Sequence, residues 1–415
     1  MNILKNKIFN KNLFIIFILL IIYYRSPYIL LNGRFVAEEG EFWFRNAFIN
    51  GPLSAIFQVY FGSGYFNLWA NISSVIALIP PVEYAPLATV YCALFIKLFL
   101  FFFVLNHKSE FLISDKDKYL VSLIILLSPF MVEEIWLNTL TSQIYLTILS
   151  ILILFKIETQ NLFFKVLSYF FLLLAGLSTI TTSILTPFFF YKYINKKNRN
   201  NFINFLIIFL SSLFQLFIYI YSKYNGLFET NLRYQVSYEK IINFIYNVFL
   251  KSIFGRDLTH LIFFDIYSEI NIFLLFILFM LFLLLLIIVI IKKIKKDNIL
   301  LVLALLFLAE SFLAFFGSKM QQVQGRYAVI PAFLLMIMIY RLYQTQIDSI
   351  KRLSIILIFF SLLTGVYQFK YKATYPQFLE CFNCPVWKEE ISKWQLDNSY
   401  KIKIWNYPTR TMLLK

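Results

Sequence analysis

The sequence predicts an all-α fold, a polytopic transmembrane helical bundle. Of its 415 residues, 60% are hydrophobic and only 14% are charged, and the mean hydropathy is +0.73. A soluble domain of this length needs a charged surface around its apolar core, and this chain has too few charges to form one. The segment Ile272–Ile291 contains no polar residue. About 20 such residues in a helix cross the roughly 30 Å hydrocarbon core of a bilayer, where the backbone must satisfy its own hydrogen bonds.

Basic residues in short loops predict how the spans are oriented, because cytoplasmic loops are enriched in Lys and Arg. Placing the basic loops inside gives about 11 spans, a cytoplasmic amino terminus and an extracytoplasmic carboxyl terminus. The first span follows a basic segment, and no small-residue cleavage site comes after it, so we interpret it as uncleaved. The spans with the clearest bounds are Leu13–Leu31, Pro86–Leu105, Tyr119–Met131, Phe202–Tyr221, Ile272–Ile291 and Leu353–Phe369.

Two units follow from this topology. Residues 1–370 form the transmembrane domain, with a long first extracytoplasmic loop over Asn32–Ala85, and residues 371–415 form a small extracytoplasmic tail. The tail is predicted to contain a helix followed by a strand. Its Cys381 and Cys384 form a CxxC motif. An oxidising compartment would allow a disulfide there, and two free thiols are the alternative.

Charge and metal-ligand composition exclude several classes of function. The net charge of +16 is explained by cytoplasmic loops, and no basic stripe points to nucleic acid. The two histidines, His107 and His260, lie far apart, so a zinc site of His and Cys is not predicted. The chain has no Walker motif and no Ser-His-Asp set. We therefore predict no cofactor, and leave a need for a divalent metal open.

The first extracytoplasmic loop carries three carboxylates just after the first span, at Glu38, Glu39 and Glu41. Ionisable groups close to a membrane are costly unless they are solvated, paired or used in function. One interpretation is a solvated loop in which Arg34 or Arg45 pairs with these acids. The other is a catalytic carboxylate.

This loop resembles the one that follows the first transmembrane helix in the GT-C class of polyprenyl-phosphate-dependent membrane glycosyltransferases. In that class, a carboxylate of the first extracytoplasmic loop is the catalytic base. The class usually has at least one Asp at the acidic pair, whereas both acids here are Glu, which leaves the identity of the base open. The matching elements are Glu38-Glu39-Gly40, Gly62-Ser-Gly64-Tyr65, Ile79-Pro-Pro-Val-Glu83-Tyr-Ala-Pro86, Asn138–Gln143 and Gln324-Gly-Arg326-Tyr327-Ala-Val-Ile-Pro331.

The resemblance implies roles for residues of this chain. Glu38 or Glu39 would deprotonate the acceptor hydroxyl in an inverting transfer, which needs one such base, and Glu38 occupies the position most like that of the class. Arg326, followed by Tyr327, would bind the lipid phosphate, because guanidinium grips phosphate in a bidentate way. Lys319 is a second candidate. The alternative for Arg326 is an interfacial anchor.

Polar residues of the next extracytoplasmic loop complete the predicted substrate site. Asn138 and Gln143 can hydrogen-bond sugar hydroxyls, and Glu133 is included with them, whereas we interpret Glu134 as ordinary loop polarity. Glu310 lies inside the ninth predicted span, where an ionisable residue is a functional candidate by default.

The predicted function is a glycosyltransferase of a bacterial inner membrane. It would move a hexose or pentose from a polyprenyl-phosphate donor to a glycan, lipid or protein acceptor on the outer face, in contact with membrane lipids and without nucleic acid. An O-antigen or capsule polymerase is the first alternative, which would rest on arginines in two large outside loops. A lipid-linked glycan flippase or transporter is the second, but such proteins often contain internal repeats and broken helices at midplane, and we find no convincing repeat.

Overall fold

The computed structural model describes residues 2–415 except 159–160, 228–236, 264–286, 289, 294–296, 319–324, 346, 371–377, 381–383 and 406–409. The predicted span at Ile272–Ile291 falls largely outside the described residues, and Lys319 and Cys381 fall entirely outside them. The described part is helical apart from two short hairpins, which confirms the all-α prediction.

The helices follow the hydrophobic segments of the sequence. They are α1 (Asn2–Arg25), α2 (Pro27–Asn32), α3 (Arg45–Ile56), α4 (Leu68–Ile76), α5 (Ala85–Asn106), α6 (Asp115–Leu127), α7 (Ser142–Leu154), α8 (Leu162–Gly176), α9 (Thr186–Asn195), α10 (Arg199–Tyr224), α11 (Tyr238–Phe244), α12 (Lys251–Phe263), α13 (Asn298–Gly317), α14 (Gly325–Tyr343), α15 (Asp348–Gln368) and α16 (Trp387–Leu396). The strands are β1 (Val59–Tyr60), β2 (Tyr65–Phe66), β3 (Ile402–Lys403) and β4 (Thr411–Met412).

Five helices of the described residues are both long and apolar enough to cross a membrane. These are Val82–Asn106 (a short 3-10 turn joined to α5), α10, α13, α14 and α15. Other predicted spans are shorter than a full crossing: α6 has 13 residues and α9 has 10. The predicted first span is interrupted, because Ser26 is not helical and separates α1 from α2. The hydroxyl of Ser26 accepts a hydrogen bond from the indole N–H of Trp136, at 2.7 Å.

Burial distinguishes a central helix from a lipid-facing exterior. In α14 the side chains from Ala328 to Tyr340 are all buried, and α13 and α15 pack against this helix. Peripheral helices instead expose large apolar side chains, such as Phe217, Phe312 and Phe359. An apolar exterior of this extent is typical of a surface that meets lipid rather than water.

A close helix contact holds α15 against the end of α6 and gives a first prediction. A Cβ added at Gly365 would lie 1.7 Å from the carbonyl oxygen of Leu127, so we expect Gly365→Ala to destabilise the protein by about 1–3 kcal/mol or more through overpacking. Gly317→Ala is the control, because among the described residues its Cβ would meet only Leu313, at 3.7 Å. Thermal unfolding in detergent measures both. Equal melting temperatures for the two variants would contradict the packing argument.

The tail folds onto the first loop. The indole N–H of Trp387 donates to the carbonyl of Val82 at 2.8 Å, and the backbone N–H of Trp405 donates to the carbonyl of Phe35 at 3.2 Å. Phe35 also meets the edge of the Trp387 ring, with centroids 5.0 Å apart. The expected helix and strand of the tail are confirmed as α16 and the β3–β4 hairpin, and Cys384 is disulfide-bonded. We call the described residues of 33–84 and 378–415 together the cap.

Candidate active site

A cavity of about 560 Å³ lies between the cap and the helix ends beneath it. Its wall combines segments that are far apart in the sequence: the first loop, the hairpin β1–β2, the loop before α7, the facing ends of α13 and α14, and the tail. Its polar lining includes Glu38, Tyr60, Ser63, Tyr65, Glu134, Asn138, Gln143, Thr181, Glu310, Arg326, Tyr327 and Arg410.

Glu38 is the carboxylate of the acidic pair that faces the cavity. It follows Ala37, a residue with φ of +48°, and is the N-cap residue of a π-helix over Glu39–Phe44. Its side chain is 34% exposed, and its Oε1 accepts a hydrogen bond from Arg410 of the tail at 3.1 Å. The same guanidinium donates to Glu41 at 2.7 Å. Arg410 therefore fixes the position of Glu38 at the cavity wall.

Glu39 points the other way, into the protein, and does not line the cavity. It is 2% exposed, and its Oε1 accepts hydrogen bonds from both the backbone N–H and the hydroxyl of Thr139. Its Oε2 accepts from the N–H of Val36 at 3.4 Å. Burial raises the pKa of Glu39, although these hydrogen bonds and the charge of Arg34 oppose the shift. The two predicted catalytic acids thus have different environments, and Glu39 joins the first loop to the loop before α7.

Arg34 also connects the first loop to the loop before α7, and in addition to the tail. Its guanidinium donates to the carbonyls of Trp136, at 2.8 Å, and Phe378, at 3.0 Å. Burial lowers the pKa of Arg34 to about 10, and the carboxylate of Glu39 opposes that shift. Arg34 and Glu39 together therefore tie the first loop, the loop before α7 and the tail to one another.

The bracing role of Glu39 gives a second prediction. We expect Glu39→Ala to lower the free energy of unfolding by about 1–3 kcal/mol, because the buried N–H of Thr139 loses its acceptor. Glu39→Gln keeps an oxygen for Thr139 but turns its amide nitrogen to the N–H of Val36, which donates to Oε2 in the wild type, so we expect a smaller loss than in Glu39→Ala. Thermal unfolding in detergent compares the two. A melting temperature of the Ala variant equal to that of wild type would contradict this role.

Arg326 lines the cavity near the start of α14. It donates to Glu134 at 2.6 Å, and its guanidinium carbon lies 5.2 Å from the centre of the Tyr327 ring. The side chains are 35% exposed for Arg326 and 18% for Glu134. Glu134 is therefore not ordinary loop polarity, and the interpretation of this residue from the sequence is wrong: a short 3-10 turn over Glu133–Ile135 directs it to the cavity.

The same turn directs Glu133 away from the cavity. Its carboxylate lies 3.6 Å from Arg25, and both side chains are at most 5% exposed. Arg25 also lies over the Trp136 ring, 4.2 Å from its centre. Glu133 was predicted to bind substrate, but it does not line the cavity. It belongs to a buried charge pair beneath it.

The other predicted residues lie in the cavity wall. Asn138 precedes α7, where its side-chain oxygen accepts from the N–H of Leu140 at 2.9 Å, leaving its amide nitrogen as a donor. Gln143 lines the cavity at the first turn of α7. Tyr65 enters from the hairpin, and burial raises the pKa of its hydroxyl, so it is a neutral hydrogen-bonding group. Of the predicted residues, Lys319 alone lies outside the described part of the chain.

The comparison with known proteins adds no relative. The chain matches no family model, no curated protein and no solved structure.

One side of the cavity is apolar and reaches the lipid-facing surface. Phe312 of α13 lines the cavity and is 66% exposed, as much as Phe217 of the peripheral helix α10. Further apolar lining residues include Ile144, Ile180, Leu313, Phe316 and Ile330. The cavity is thus amphipathic, with arginines and carboxylates in its polar lining and a wall that a hydrocarbon chain can contact from the membrane.

Two residues of the wall carry chemistry that the sequence patterns did not assign. Arg410 lies in the tail, 372 positions from its partner Glu38, and no local signal in the sequence marks it. Glu310 was visible as an acid within a span, and the structure adds that it lines the cavity. Among the described residues, no group of three or more His, Cys, Asp or Glu side chains could hold a metal ion.

Proposed function

We propose that this protein is a GT-C-like membrane glycosyltransferase that moves a sugar from a polyprenyl-phosphate donor to a hydroxyl acceptor of the cell envelope. The observation that carries the proposal is the amphipathic cavity. It combines a carboxylate, Glu38, with a guanidinium, Arg326, and with a wall that reaches lipid at Phe312. A lipid phosphate carrying a sugar has matching parts: a hydrocarbon chain, an anion and a polar headgroup.

The proposed reaction is a single displacement. Glu38 takes the proton of the acceptor hydroxyl while that oxygen attacks the anomeric carbon. The bond from the anomeric carbon to the phosphate oxygen breaks, and its electron pair leaves with the phosphate. Arg326 hydrogen-bonds the developing charge. The products are the glycosylated acceptor, the lipid phosphate and a protonated Glu38, so one base is sufficient and the configuration inverts.

The finer topology belongs to this proposal: about 11 spans in a bacterial inner membrane, with the cavity on the extracytoplasmic side. The positions of basic residues support this arrangement. Several of them lie at helix ends away from the cavity, and Lys and Arg are enriched on the cytoplasmic side. Lys196 pairs with Glu110 at 2.9 Å, and Arg341 pairs with Asp297 at 2.8 Å. Labelling of single cysteines at Glu110 and Glu83 from outside intact cells would test it; we expect only the second to react.

A polymerase is the second candidate, and one observation favours it. Arg326 and Arg410, from separate outer segments, line the same cavity, as the arginines of a polymerase would. The two functions differ in product, because a polymerase joins complete repeat units and a transferase adds a single sugar.

The experiment that tests the proposal is a mass profile of surface glycans from a deletion strain and from the strain complemented with the wild-type gene. We expect the deletion to lack one sugar unit and the complement to regain it. Short chains built of complete repeats would favour the polymerase. Accumulation of finished lipid-linked glycan on the cytoplasmic side would favour the flippase, and an unchanged profile would contradict all three.

A further inference from the structure

Glu310 is a buried carboxyl group in the cavity wall that the proposed reaction does not use. It lies on α13, seven residues before Gly317, which ends that helix. At a rise of about 1.5 Å per residue, this places it roughly 10 Å from the end of the helix. Only 2% of Glu310 is exposed, and it lines the cavity together with its apolar neighbours Phe312 and Leu313.

One oxygen of the Glu310 carboxyl group, Oε1, is buried without a partner among the described residues. The two arginines of the cavity are engaged elsewhere, Arg326 with Glu134 and Arg410 with Glu38 and Glu41. A buried polar group without a partner costs stability. Within a membrane-spanning helix, such groups mark places where a ligand or an ion is contacted.

The buried position of Glu310 limits which part of a ligand could pair with its carboxyl group. A hydrocarbon chain offers no hydrogen-bond donor, so contact with lipid alone would leave the carboxyl group unsatisfied. A phosphate offers acceptors and would meet an arginine more favourably. Sugar hydroxyls are donors, and they are part of any glycosyl donor.

We propose that Glu310 accepts a hydrogen bond from a hydroxyl of the donor sugar and so determines donor specificity. This inference rests on the proposed transferase function and deepens it. It places the sugar toward α13, while the phosphate is held by Arg326. A site built to hydrogen-bond a hydroxyl discriminates strongly against ligands that lack one, because its own buried group is then left unpaired.

The test compares Glu310→Leu and Glu310→Gln with the wild type, and uses Ser311→Ala as the matched control. Ser311 is the next residue of α13, is 9% exposed, and does not line the cavity. Two quantities are measured: the amount of the added sugar in surface glycans of the complemented deletion strain, normalised to protein level, and the melting temperature of each purified protein in detergent.

We expect Glu310→Leu to lose about tenfold or more of the product while its melting temperature equals or exceeds that of wild type, because an unpaired buried group is removed. Glu310→Gln keeps an acceptor for a hydroxyl and should retain at least a third of the product. Ser311→Ala should match wild type in product, and its melting temperature should equal or exceed that of wild type, because the buried Oγ of Ser311 also has no hydrogen bond among the described residues.

Three results would overturn the inference. The first is full product with Glu310→Leu, and the second is a fall of both product and melting temperature in that variant. The third is a loss of product with Glu310→Gln as deep as with Glu310→Leu, which would indicate an ammonium partner instead of a hydroxyl. Glu38→Gln, measured in the same strain, separates the two proposals. If it loses the product and Glu310→Leu does not, only the role of Glu310 fails. If Glu38→Gln and Glu39→Gln both keep the product as well, the transferase proposal fails.

Discussion

Glu38→Gln is expected to reduce sugar transfer by about 100- to 10,000-fold, the range over which a positioned general base contributes. The amide has nearly the shape of the carboxylate but cannot take a proton from the acceptor hydroxyl. The side chain is 34% exposed and its one ionic partner among the described residues is Arg410, at 3.1 Å, so the fold should be retained. The measurement is the amount of the added sugar in the complemented deletion strain, with the protein level determined in the same membranes.

Two neighbouring acids provide matched controls. Glu41 also binds Arg410, at 2.7 Å, but it does not line the cavity, so Glu41→Gln tests whether loss of a contact to Arg410 is sufficient to stop transfer. Glu39→Gln tests the other acid of the pair. We expect both variants to transfer sugar at near the wild-type level. A loss in Glu39→Gln with full activity of Glu38→Gln would reverse the assignment of the base.

Arg326→Ala is expected to reduce transfer by about 100- to 1,000-fold, because the developing phosphate charge loses its guanidinium donor. Arg326→Lys should recover part of the activity, since an ammonium keeps the charge but loses the bidentate geometry. In both variants the donor should bind more weakly and be consumed more slowly, which is measured in membranes supplied with a prenyl phosphate that carries a sugar.

The ion pair with Glu134 demands a further control. Arg326→Ala leaves Glu134, which is 18% exposed, without its partner, and an uncompensated charge can itself disturb a site. The double variant Arg326→Ala with Glu134→Gln removes that charge. If Arg326 binds phosphate, the double variant stays inactive. Restored activity in the double variant would mean that Arg326 only neutralises Glu134.

Hydrophobic segments were predictable because the free energy of a residue in lipid is largely a local property. The predicted spans Pro86–Leu105 and Phe202–Tyr221 coincide closely with α5 and α10. The interruption at Ser26 was not predicted from hydropathy: Pro27 directly after it disfavours helical backbone at Ser26, and a hydrogen bond from Trp136, more than a hundred residues away, meets the Ser26 hydroxyl. Local hydropathy has no information on such a contact.

The candidate site was predictable by type of residue but not by direction. Glu38, Asn138, Gln143, Arg326 and Tyr327 do line one cavity. The sequence does not show, however, which of two adjacent acids faces the cavity. In the first loop Glu39 is buried and Glu38 lines the cavity, and in the loop before α7 Glu133 is buried and Glu134 lines the cavity.

The contribution of the tail to the cavity could not be predicted from the sequence, for a different reason. Arg410 meets Glu38 only because the tail packs on the first loop through Trp387, Trp405 and the aromatic side chains around them. Contacts of such long sequence separation leave no local pattern. Glu310 lies between these cases: its burial was expected from its span, but the cavity beside it became visible only in the structure.

The most direct test of the central claim is native mass spectrometry of the protein purified from its own membranes. The account predicts that wild type retains one prenyl phosphate linked to a sugar. Glu38→Gln should keep this lipid, because a base is not needed to bind the donor, and Arg326→Ala should lose it. An identical lipid content in wild type and Arg326→Ala, or a bound lipid without phosphate and sugar, would contradict the claim that this cavity holds a glycosyl donor.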